Sequence, residues 1–241
     1  MKALAFNGSP KTDKGNTARI LTPFLEGLEE AGAEVELYYT KRLKINPCQG
    51  EANCWFKHPG RCWQDDDMNE LLPKIREADI LVFASPVYCD GVTGPMKNLI
   101  DRFLPIPAAC YTLRDGHTSL GTTADYRSKK VVLVSTCGYW EMDNFDPLLV
   151  QMKAFCRSLA SEFAGALLRP HADMLQAMIQ TGAPIGDVFD AARRAGRQLM
   201  MEGSMKAETL QTVARELIAR DRYIHEVNAW VIEEQSRIMA N

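Results

Sequence analysis

The stretch MKALAFNGSPKTDKGNT, residues 1–17, decides the fold. Its apolar run Ala3–Phe6 leads into a loop of small and polar residues, and a helical pattern begins near Thr17. An apolar strand that passes through such a loop into a helix is typical of the start of a βαβ unit. The loop is then expected at the carboxyl end of a parallel strand, where open α/β sheets bind their ligands.

The chemistry of this loop predicts a bound anion. Gly8 and Gly15 let the backbone turn tightly, and the start of the helix presents free backbone N–H groups. Ser9, Asn16 and Thr17 add side-chain hydrogen-bond donors. The pattern is neither G-x-G-x-x-G nor the P-loop, whose lysine position is occupied by Asn16. We therefore predict a cradle for a terminal monophosphate; the alternative is an ordinary strand–turn–helix with polar turn residues.

Composition narrows the classes of protein that need to be considered. The 241 residues are 46% hydrophobic and 24% charged with a net charge of −3, which is typical of a globular domain with an optional appendage. The dispersed basic residues predict no nucleic-acid partner. The absence of a long apolar run predicts no membrane partner, and the N-terminus lacks the pattern of a signal peptide. Seven cysteines without a secretion signal favour reduced thiols in a cytoplasmic protein.

Further strands and helices follow in alternation. Residues 79–84 and 130–135 are near-continuous apolar runs, as expected for strands covered on both faces. Additional strands are predicted over 35–39 and 163–169. The predicted helices cover roughly 17–31, 68–77, 96–103, 145–160, 186–203, 206–219 and 221–238. Five strands that alternate with helices predict an α/β fold with a doubly wound parallel sheet and helices on both faces.

Two long connections interrupt this alternation. Residues 44–66 form a polar insertion that contains three cysteines, and residues 104–128 are expected to be irregular. The helices after residue 203 exceed what the sheet requires. We therefore predict a main domain over 1–203 and a C-terminal helical extension over 204–241, whose apolar faces need a partner within or between subunits.

Three strand-end loops are expected to meet at one edge of the sheet, because right-handed crossovers bring the carboxyl ends of parallel strands together. They are the phosphate loop, the loop after residue 84 and the loop after residue 135. Tyr88, Tyr139 and Trp140 in the latter two loops can sandwich a flat aromatic ligand. A phosphate cradle beside aromatic walls predicts a mononucleotide-like cofactor.

Four motifs in order resemble those of the flavodoxin-like NAD(P)H-dependent FMN oxidoreductases, particularly the branch of iron–sulfur flavoproteins. They are Gly8-Ser9-Pro10 with Gly15-Asn16-Thr17, Ser85-Pro86-Val87-Tyr88, Met96-Lys97-Asn98-Leu99-Ile100-Asp101-Arg102, and a cysteine-rich insertion that ends in Asp66-Asp67-Met68. The resemblance covers residues 1 to about 203. It implies a flavodoxin-like fold, FMN as cofactor, and hydride transfer from NADH or NADPH through FMN to a small-molecule acceptor such as a quinone or a flavin.

The resemblance also implies which residues contact the cofactor. Phosphate contacts are expected from Ser9, Asn16 and Thr17 with the loop backbone, and ring contacts from the loops after residues 84 and 135. No acid or base side chain is required, because the flavin supplies the chemistry. The residues expected at the cofactor are Ser9, Lys11, Gly15, Asn16, Thr17, Pro86, Val87, Tyr88, Cys89, Gly91, Thr136, Cys137, Gly138 and Tyr139.

The cysteine insertion departs from the family pattern. Iron–sulfur members carry C-x2-C-x2-C and a fourth cysteine, whereas this chain has Cys48, Glu51, Cys54 and Cys62. Because Glu51 replaces one of the usual thiolates, the sequence disfavours an iron–sulfur cluster. A zinc site of Cys48, Cys54, His58 and Cys62 is an alternative with unusual spacing. We prefer a loop without metal, in which the cysteines pack as small hydrophobic residues.

Two other functions remain open at this point. One is an electron carrier of the flavodoxin or iron–sulfur flavoprotein type, although the modest net charge and the extra helices argue against it. The other is an interaction or sensor protein that uses the fold without flavin. Members of the resembled family commonly form dimers or tetramers, so we expect a homodimer or homotetramer.

Overall fold

Seven strands form two sheets in the computed structural model, which describes residues 1–239. The main sheet has five parallel strands in the order β2-β1-β3-β6-β7, and β4 and β5 form a separate antiparallel pair. This strand order is that of the flavodoxin-like doubly wound fold, as expected from the sequence. The strands are β1 (Lys2–Asn7), β2 (Glu34–Tyr39), β3 (Ile80–Pro86), β4 (Ala108–Arg114), β5 (His117–Gly121), β6 (Lys130–Thr136) and β7 (Glu162–Arg169).

Helices cover both faces of the main sheet. The helix α1 packs against α7 on one face, and α3, α4 and α5 contribute to the core on the other. The helices are α1 (Asn16–Glu30), α2 (Asn53–Phe56), α3 (Met68–Glu77), α4 (Gly94–Asp101), α5 (Asp146–Ser158), α6 (Leu175–Gln180), α7 (Gly186–Glu202), α8 (Ala207–Ala214) and α9 (Arg220–Met239).

The alternation of side chains along the strands divides the core into two clusters. In β1, Ala3 and Ala5 face the layer that contains α1 and α7, whereas Leu4 and Phe6 face the opposite layer. The central strand β3 contributes buried residues to both layers, since successive side chains point to opposite faces. The sheet is therefore covered on both sides, and its carboxyl edge remains open for a ligand.

Two predictions about the chain after residue 103 were wrong in detail. Residues 104–128 contain the β4–β5 hairpin, whose exposed strands lie outside the main sheet. The helix predicted over 206–219 ends at Ala214. It ends there because the buried guanidinium of Arg169 donates hydrogen bonds to the carbonyl oxygens of Val213 and Arg215, at 2.8 and 2.7 Å. These carbonyl groups are then not available to continue the helix.

The helices after residue 203 are attached to the main sheet at their beginning. The helix α8 packs against α7 and β7, and Tyr223 near the start of α9 is buried. Farther along α9, Trp230 and Ile232 are more than half exposed. The division at residue 203 and the expected oligomer stay predictions. Within residues 1–239, no helix combines the length and apolar character that crossing a membrane requires.

Candidate functional site

A cleft of about 480 Å³ lies at the carboxyl edge of the main sheet. Four strand-end segments meet there, namely those after β1, β3, β6 and β7. The sequence predicted the first three of these segments, and the fourth was missed. The residues that line the cleft are Ser9, Lys11, Asn16, Thr17, Pro86, Val87, Tyr88, Cys89, Asp90, Thr136, Cys137, Gly138, Tyr139, Ala172 and Asp173.

The loop between β1 and α1 forms a compact polar end of the cleft. The Asn7 side-chain oxygen accepts the backbone N–H of Ser9 at 2.9 Å, and Ser9 Oγ accepts the backbone N–H of Lys11 at 3.3 Å. Gly15 does not line the cleft, but a Cβ atom there would lie only 2.7 Å from Ser9 Oγ. The helix α1 begins directly after this glycine, so its unpaired N–H groups lie beside the Ser9 hydroxyl.

Two buried threonines join this loop to the end of β6. The hydroxyl oxygens of Thr17 and Thr136 are 2.9 Å apart, and either can donate. Whichever donates, the hydrogen of the other hydroxyl is available to an anion in the cleft. Asn16 and the exposed Lys11 also line the cleft. This end of the cleft can therefore bind a group with several anionic oxygens.

The segment after β3 forms a tight turn at the rim. Tyr88 and Gly91 exchange backbone hydrogen bonds of 3.0 and 3.1 Å around Cys89 and Asp90. Both enclosed residues have positive φ, +47° and +61°, as in the type I′ turn that normally uses Asn-Gly. Each costs about 1 kcal/mol or more relative to glycine. Gly91 closes this turn without lining the cleft, and the turn presents the half-exposed Tyr88.

The segment after β6 forms the facing wall. Its backbone is fixed by two hydrogen bonds, from Val87 N–H to the Thr136 carbonyl at 2.8 Å and from Cys137 N–H to the Arg169 carbonyl at 3.0 Å. Burial raises the pKa of the Cys137 thiol, which therefore stays protonated near neutral pH. Tyr139 is 68% exposed at the mouth. The two walls thus offer mainly uncharged and aromatic surface.

Trp140 does not line the cleft, although the sequence predicted that it would help to sandwich a ligand. Its indole ring instead stacks on the His171 imidazole, with ring centroids 6.0 Å apart. The indole N–H donates to the Ile218 carbonyl at 2.9 Å. The tryptophan therefore links the C-terminal region to the site instead of contacting a ligand.

A buried hydrogen-bond network holds the segments that line the cleft. Arg169 donates to His171 Nε2 at 2.9 Å, and the backbone N–H of Leu217 donates to the same nitrogen at 3.1 Å. Burial and the adjacent Arg169 lower the pKa of His171 to about 4, so its ring is neutral at physiological pH. Tyr223 donates its hydroxyl hydrogen to the Gly138 carbonyl. The C-terminal helices are thereby connected to two cleft segments.

Asp90, Ala172 and Asp173 line the cleft without having been predicted. Asp90 lies between two predicted residues, and the other two follow β7. The sequence did contain a signal for the segment after β7. Residues 163–169 were predicted as a parallel strand, and the end of such a strand lies at the same carboxyl edge of the sheet as the other three. The two aspartates give the outer part of the cleft an acidic side.

The cysteine insertion lies elsewhere. Cys48, Glu51, Cys54 and Cys62 line one small space beside the end of α4, where Arg102 is also found. In residues 1–239, no three Cys, His, Asp or Glu side chains are arranged to hold a metal ion. The zinc alternative of the sequence analysis thus has no preformed site.

Comparison with known proteins shows which family this chain belongs to. The sequence profile of the NADPH-dependent FMN reductases matches residues 1–158, and the chain belongs to this family. Its sequence relatives include an iron–sulfur flavoprotein of Archaeoglobus fulgidus, 45% identical over 105 residues, which are 44% of this chain and 46% of that protein. An iron–sulfur flavoprotein of Methanocaldococcus jannaschii is 38% identical over 106 residues, 44% and 53% of the respective chains. The chain thus spans about half the length of these relatives.

Solved structures with the same fold are more distant in sequence. An FMN-dependent NADH-azoreductase of Bacillus anthracis, solved in complex with FMN, has a TM-score of 0.60 at 15% identity. The comparison covers 83% of this chain and 99% of that one. An NAD(P)H:quinone oxidoreductase of Methanothermobacter marburgensis has a TM-score of 0.56 at 22% identity and covers 83% and 96%. These similarities establish the flavodoxin-like fold.

Proposed function

We propose that this chain is an FMN-dependent NAD(P)H oxidoreductase that transfers hydride from NADH or NADPH to a small acceptor such as a quinone or a flavin. The observation that carries the proposal is the two-part cleft. One end combines hydroxyl groups with a helix N-terminus, and the other has facing walls that are mainly aromatic and uncharged, with Asp90 and Asp173 also in the lining. A phosphate attached to a flat ring system needs this combination.

The polar end fits the FMN phosphate. Ser9, Asn16 and Thr17 would hold it with the first backbone N–H groups of α1, and Lys11 would add a positive charge. The close approach of Gly15 to Ser9 Oγ leaves no room for a side chain in this cradle. The buried hydroxyls of Thr17 and Thr136 hydrogen-bond each other, and the hydrogen left free would donate to the phosphate.

The other end fits the flavin ring. The segment Pro86–Cys89 and the segment Thr136–Tyr139 would flank it, with Gly91 closing the first turn. Bound FMN supplies the redox chemistry by accepting and releasing hydride. The chain's own part is to orient the ring and keep one side accessible: Tyr88 and Tyr139 are 51% and 68% exposed at the mouth. No protonated side chain needs to take part, and the Cys137 thiol remains neutral.

The acceptor, the cellular location and the oligomeric state are also part of the proposed function. The acceptor is proposed as a quinone or flavin partly because a structural neighbour is named as a quinone oxidoreductase. All seven cysteines are free thiols, which supports a reducing, cytoplasmic location. Exposed apolar side chains on α9, including Trp230 and Ile232, support a homodimer or homotetramer.

An electron carrier of the iron–sulfur flavoprotein type is the second candidate. The names of the two archaeal relatives motivate it. The specific observation in its favour is that Cys48, Cys54 and Cys62 lie around a common space. This candidate differs from the first in what happens after the flavin is reduced, because a carrier passes electrons to another protein and does not turn over a small acceptor.

Anaerobic mixing of the FMN-loaded protein with NADH or NADPH tests the first proposal. We expect the visible flavin absorption to disappear within seconds with at least one nicotinamide and to return when a quinone is added. The oxidised nicotinamide serves as the control and should leave the spectrum unchanged. A flavin that neither nicotinamide reduces, but that dithionite does reduce, would contradict the oxidoreductase and favour the carrier.

A further inference from the structure

Arg169 is a buried cation without an acidic partner. It is the last residue of β7 and is 0% exposed. Asp187 acts on it electrostatically, but that carboxylate is already engaged by Arg215 through two contacts of 2.7 Å. In the part of the chain that the structure describes, no carboxylate forms an ion pair with Arg169. Taking a guanidinium out of water without a counterion is costly, so this charge is retained against a substantial penalty.

The hydrogen bonds of Arg169 satisfy its N–H groups without neutralising its charge. The acceptors are His171 Nε2 at 2.9 Å and the backbone carbonyl oxygens of Pro170, Val213, Ala214 and Arg215 at 2.9, 2.8, 3.4 and 2.7 Å. The carbonyl groups at the end of α8 carry partial negative charges, which offset less than a carboxylate would. Burial lowers the pKa of Arg169 to about 10, so the side chain stays charged at neutral pH. Since neutral side chains can cap a helix end at a smaller desolvation cost, a structural role alone does not explain an arginine here.

This cation lies directly behind one wall of the cleft. Arg169 pairs in register with Thr136, so the two side chains project from neighbouring strands on the same face of the sheet. The Arg169 carbonyl accepts the Cys137 N–H at 3.0 Å, and the His171 N–H donates to the Tyr139 carbonyl at 2.7 Å. Thr136, Cys137 and Tyr139 all line the cleft. The wall proposed for the flavin ring is therefore one strand away from the buried charge.

The charged residues in the lining of the cleft differ from Arg169 in their exposure. Lys11, Asp90 and Asp173 are all exposed, so water and salt screen their fields. The field of Arg169 instead passes through packed protein, where the effective dielectric constant is lower and screening is weaker. A buried charge of this kind acts on a bound group over a longer distance than the exposed carboxylates do.

We propose that the uncompensated charge of Arg169 raises the reduction potential of FMN in the cleft, an inference that rests on the proposed function. Reduction makes the flavin more negatively charged near neutral pH, and a nearby cation therefore favours the reduced form. At a separation on the order of 10 Å and an effective dielectric constant of about 20, the gain corresponds to roughly tenfold tighter binding of reduced over oxidised FMN. Because a higher potential makes the flavin a weaker reductant, it favours quinones over free flavins as acceptors.

A matched pair of variants at His171 tests the charge without removing Arg169. Glutamate and glutamine both supply an oxygen acceptor in place of Nε2, which receives the hydrogen bonds from Arg169 and from the Leu217 N–H. Only His171→Glu adds a negative charge beside the guanidinium. We expect His171→Gln to match the wild type and His171→Glu to lose roughly tenfold in its preference for reduced FMN. For a two-electron couple this is a midpoint potential lower by about 30 mV.

Anaerobic titration of the FMN-loaded protein with dithionite, in the presence of indicator dyes of known potential, gives the midpoint potential. The measurement is made at low and at high salt, because a difference caused by a buried charge should persist when exposed charges are screened. Equal potentials for His171→Glu and His171→Gln would overturn the proposal. A difference that disappears at high salt would also overturn it, since exposed charges would then be its source.

Variants of Arg169 itself provide the second comparison. Arg169→Lys keeps the charge and Arg169→Met removes it, while both lose the forked hydrogen bonds, so only Arg169→Met should lower the potential. Arg194→Met removes an exposed cation on α7 and should leave the potential unchanged. Equal potentials for the two Arg169 variants would overturn the proposal, and the pair at His171 decides it if Arg169→Met does not fold. A wild type that binds no FMN would reject the proposed function, whereas bound FMN with equal potentials in each pair would reject only the role of Arg169.

Discussion

The hydroxyl groups of Thr17 and Thr136 form a 2.9 Å hydrogen bond between the first turn of α1 and the last residue of β6. The two residues are 119 positions apart, and both are buried. Their contact joins the loop proposed for the phosphate to the wall proposed for the flavin ring. One of the two hydroxyl hydrogens always remains free, so the pair can fix the local backbone and still donate to a ligand.

Replacing Thr17 should therefore weaken FMN binding. Thr17→Val removes the hydroxyl at nearly constant volume, and the loss of a hydrogen bond to a charged group should raise the FMN dissociation constant roughly 10- to 100-fold. Thr17→Ser keeps the hydroxyl and should remain within a few-fold of the wild type. Titration of the flavin-free protein, followed by quenching of FMN fluorescence, measures both. Wild-type affinity in Thr17→Val would show that this hydroxyl does not contact the phosphate.

Gly15 should tolerate no side chain. Its φ of −82° suits any residue, so the effect of Gly15→Ala comes only from the new methyl group 2.7 Å from Ser9 Oγ. Displacing Ser9 should weaken FMN binding about tenfold or more, because overpacking costs about 1–3 kcal/mol. Gly186→Ala is the control, since nothing lies within 4 Å of its added Cβ. Equal FMN affinity for the two variants, measured by the same titration, would refute the cradle.

Tyr223 should support the cleft from the C-terminal helix. Tyr223→Phe removes the hydrogen bond to the Gly138 carbonyl and should lower the free energy of unfolding by about 1 kcal/mol. Because Gly138 lines the cleft, FMN dissociation should also become faster. Tyr111→Phe, at a position 76% exposed on β4, serves as the control. Urea denaturation and stopped-flow release of FMN give the two values, and the idea fails if both variants match the wild type.

His171 should make stability depend on pH. Its folded-state pKa of about 4 lies below the ordinary 6.5, because burial and Arg169 disfavour the charged ring. The unfolded chain therefore binds the extra proton first, so the free energy of unfolding should fall as the pH drops from about 6.5 to 4. The full loss is roughly 3 kcal/mol.

Variants isolate this contribution of His171. His171→Gln should flatten the pH dependence between 6.5 and 4, whereas the exposed His58→Gln should not. Urea denaturation at several pH values provides the comparison. An unchanged slope in His171→Gln would assign the pH dependence to other groups.

The sequence predicted the central sheet well, because its signals are local. The apolar run at 130–135 became β6, Lys130–Thr136, and the helix expected over 186–203 became α7, Gly186–Glu202. The helix predicted to extend to residue 219 ended at Ala214 because of Arg169, which is 44 residues or more away from the carbonyls it binds. Such a contact leaves no periodic signal in the sequence.

In the candidate site, too, the residues with a local sequence signal were predicted and the others were not. Ser9, Thr17 and Thr136 were identified because each follows a recognisable strand, and the fold brings them to one cleft. Asp173 was missed, although it follows β7 and the ends of parallel strands lie at the same edge of the sheet. The paired positive φ values of Cys89 and Asp90 were not predictable, since aspartate tolerates a positive φ but the preceding cysteine does not signal a type I′ turn.

A crystal structure of the protein grown with FMN tests the central claim most directly. The account predicts the phosphate beside Ser9, Asn16 and Thr17 and the flavin ring between the segments that contain Tyr88 and Gly138. It would be contradicted by crystals that hold FMN elsewhere on the molecule, or by a cleft whose Ser9 and Thr17 hydroxyls face away from the phosphate.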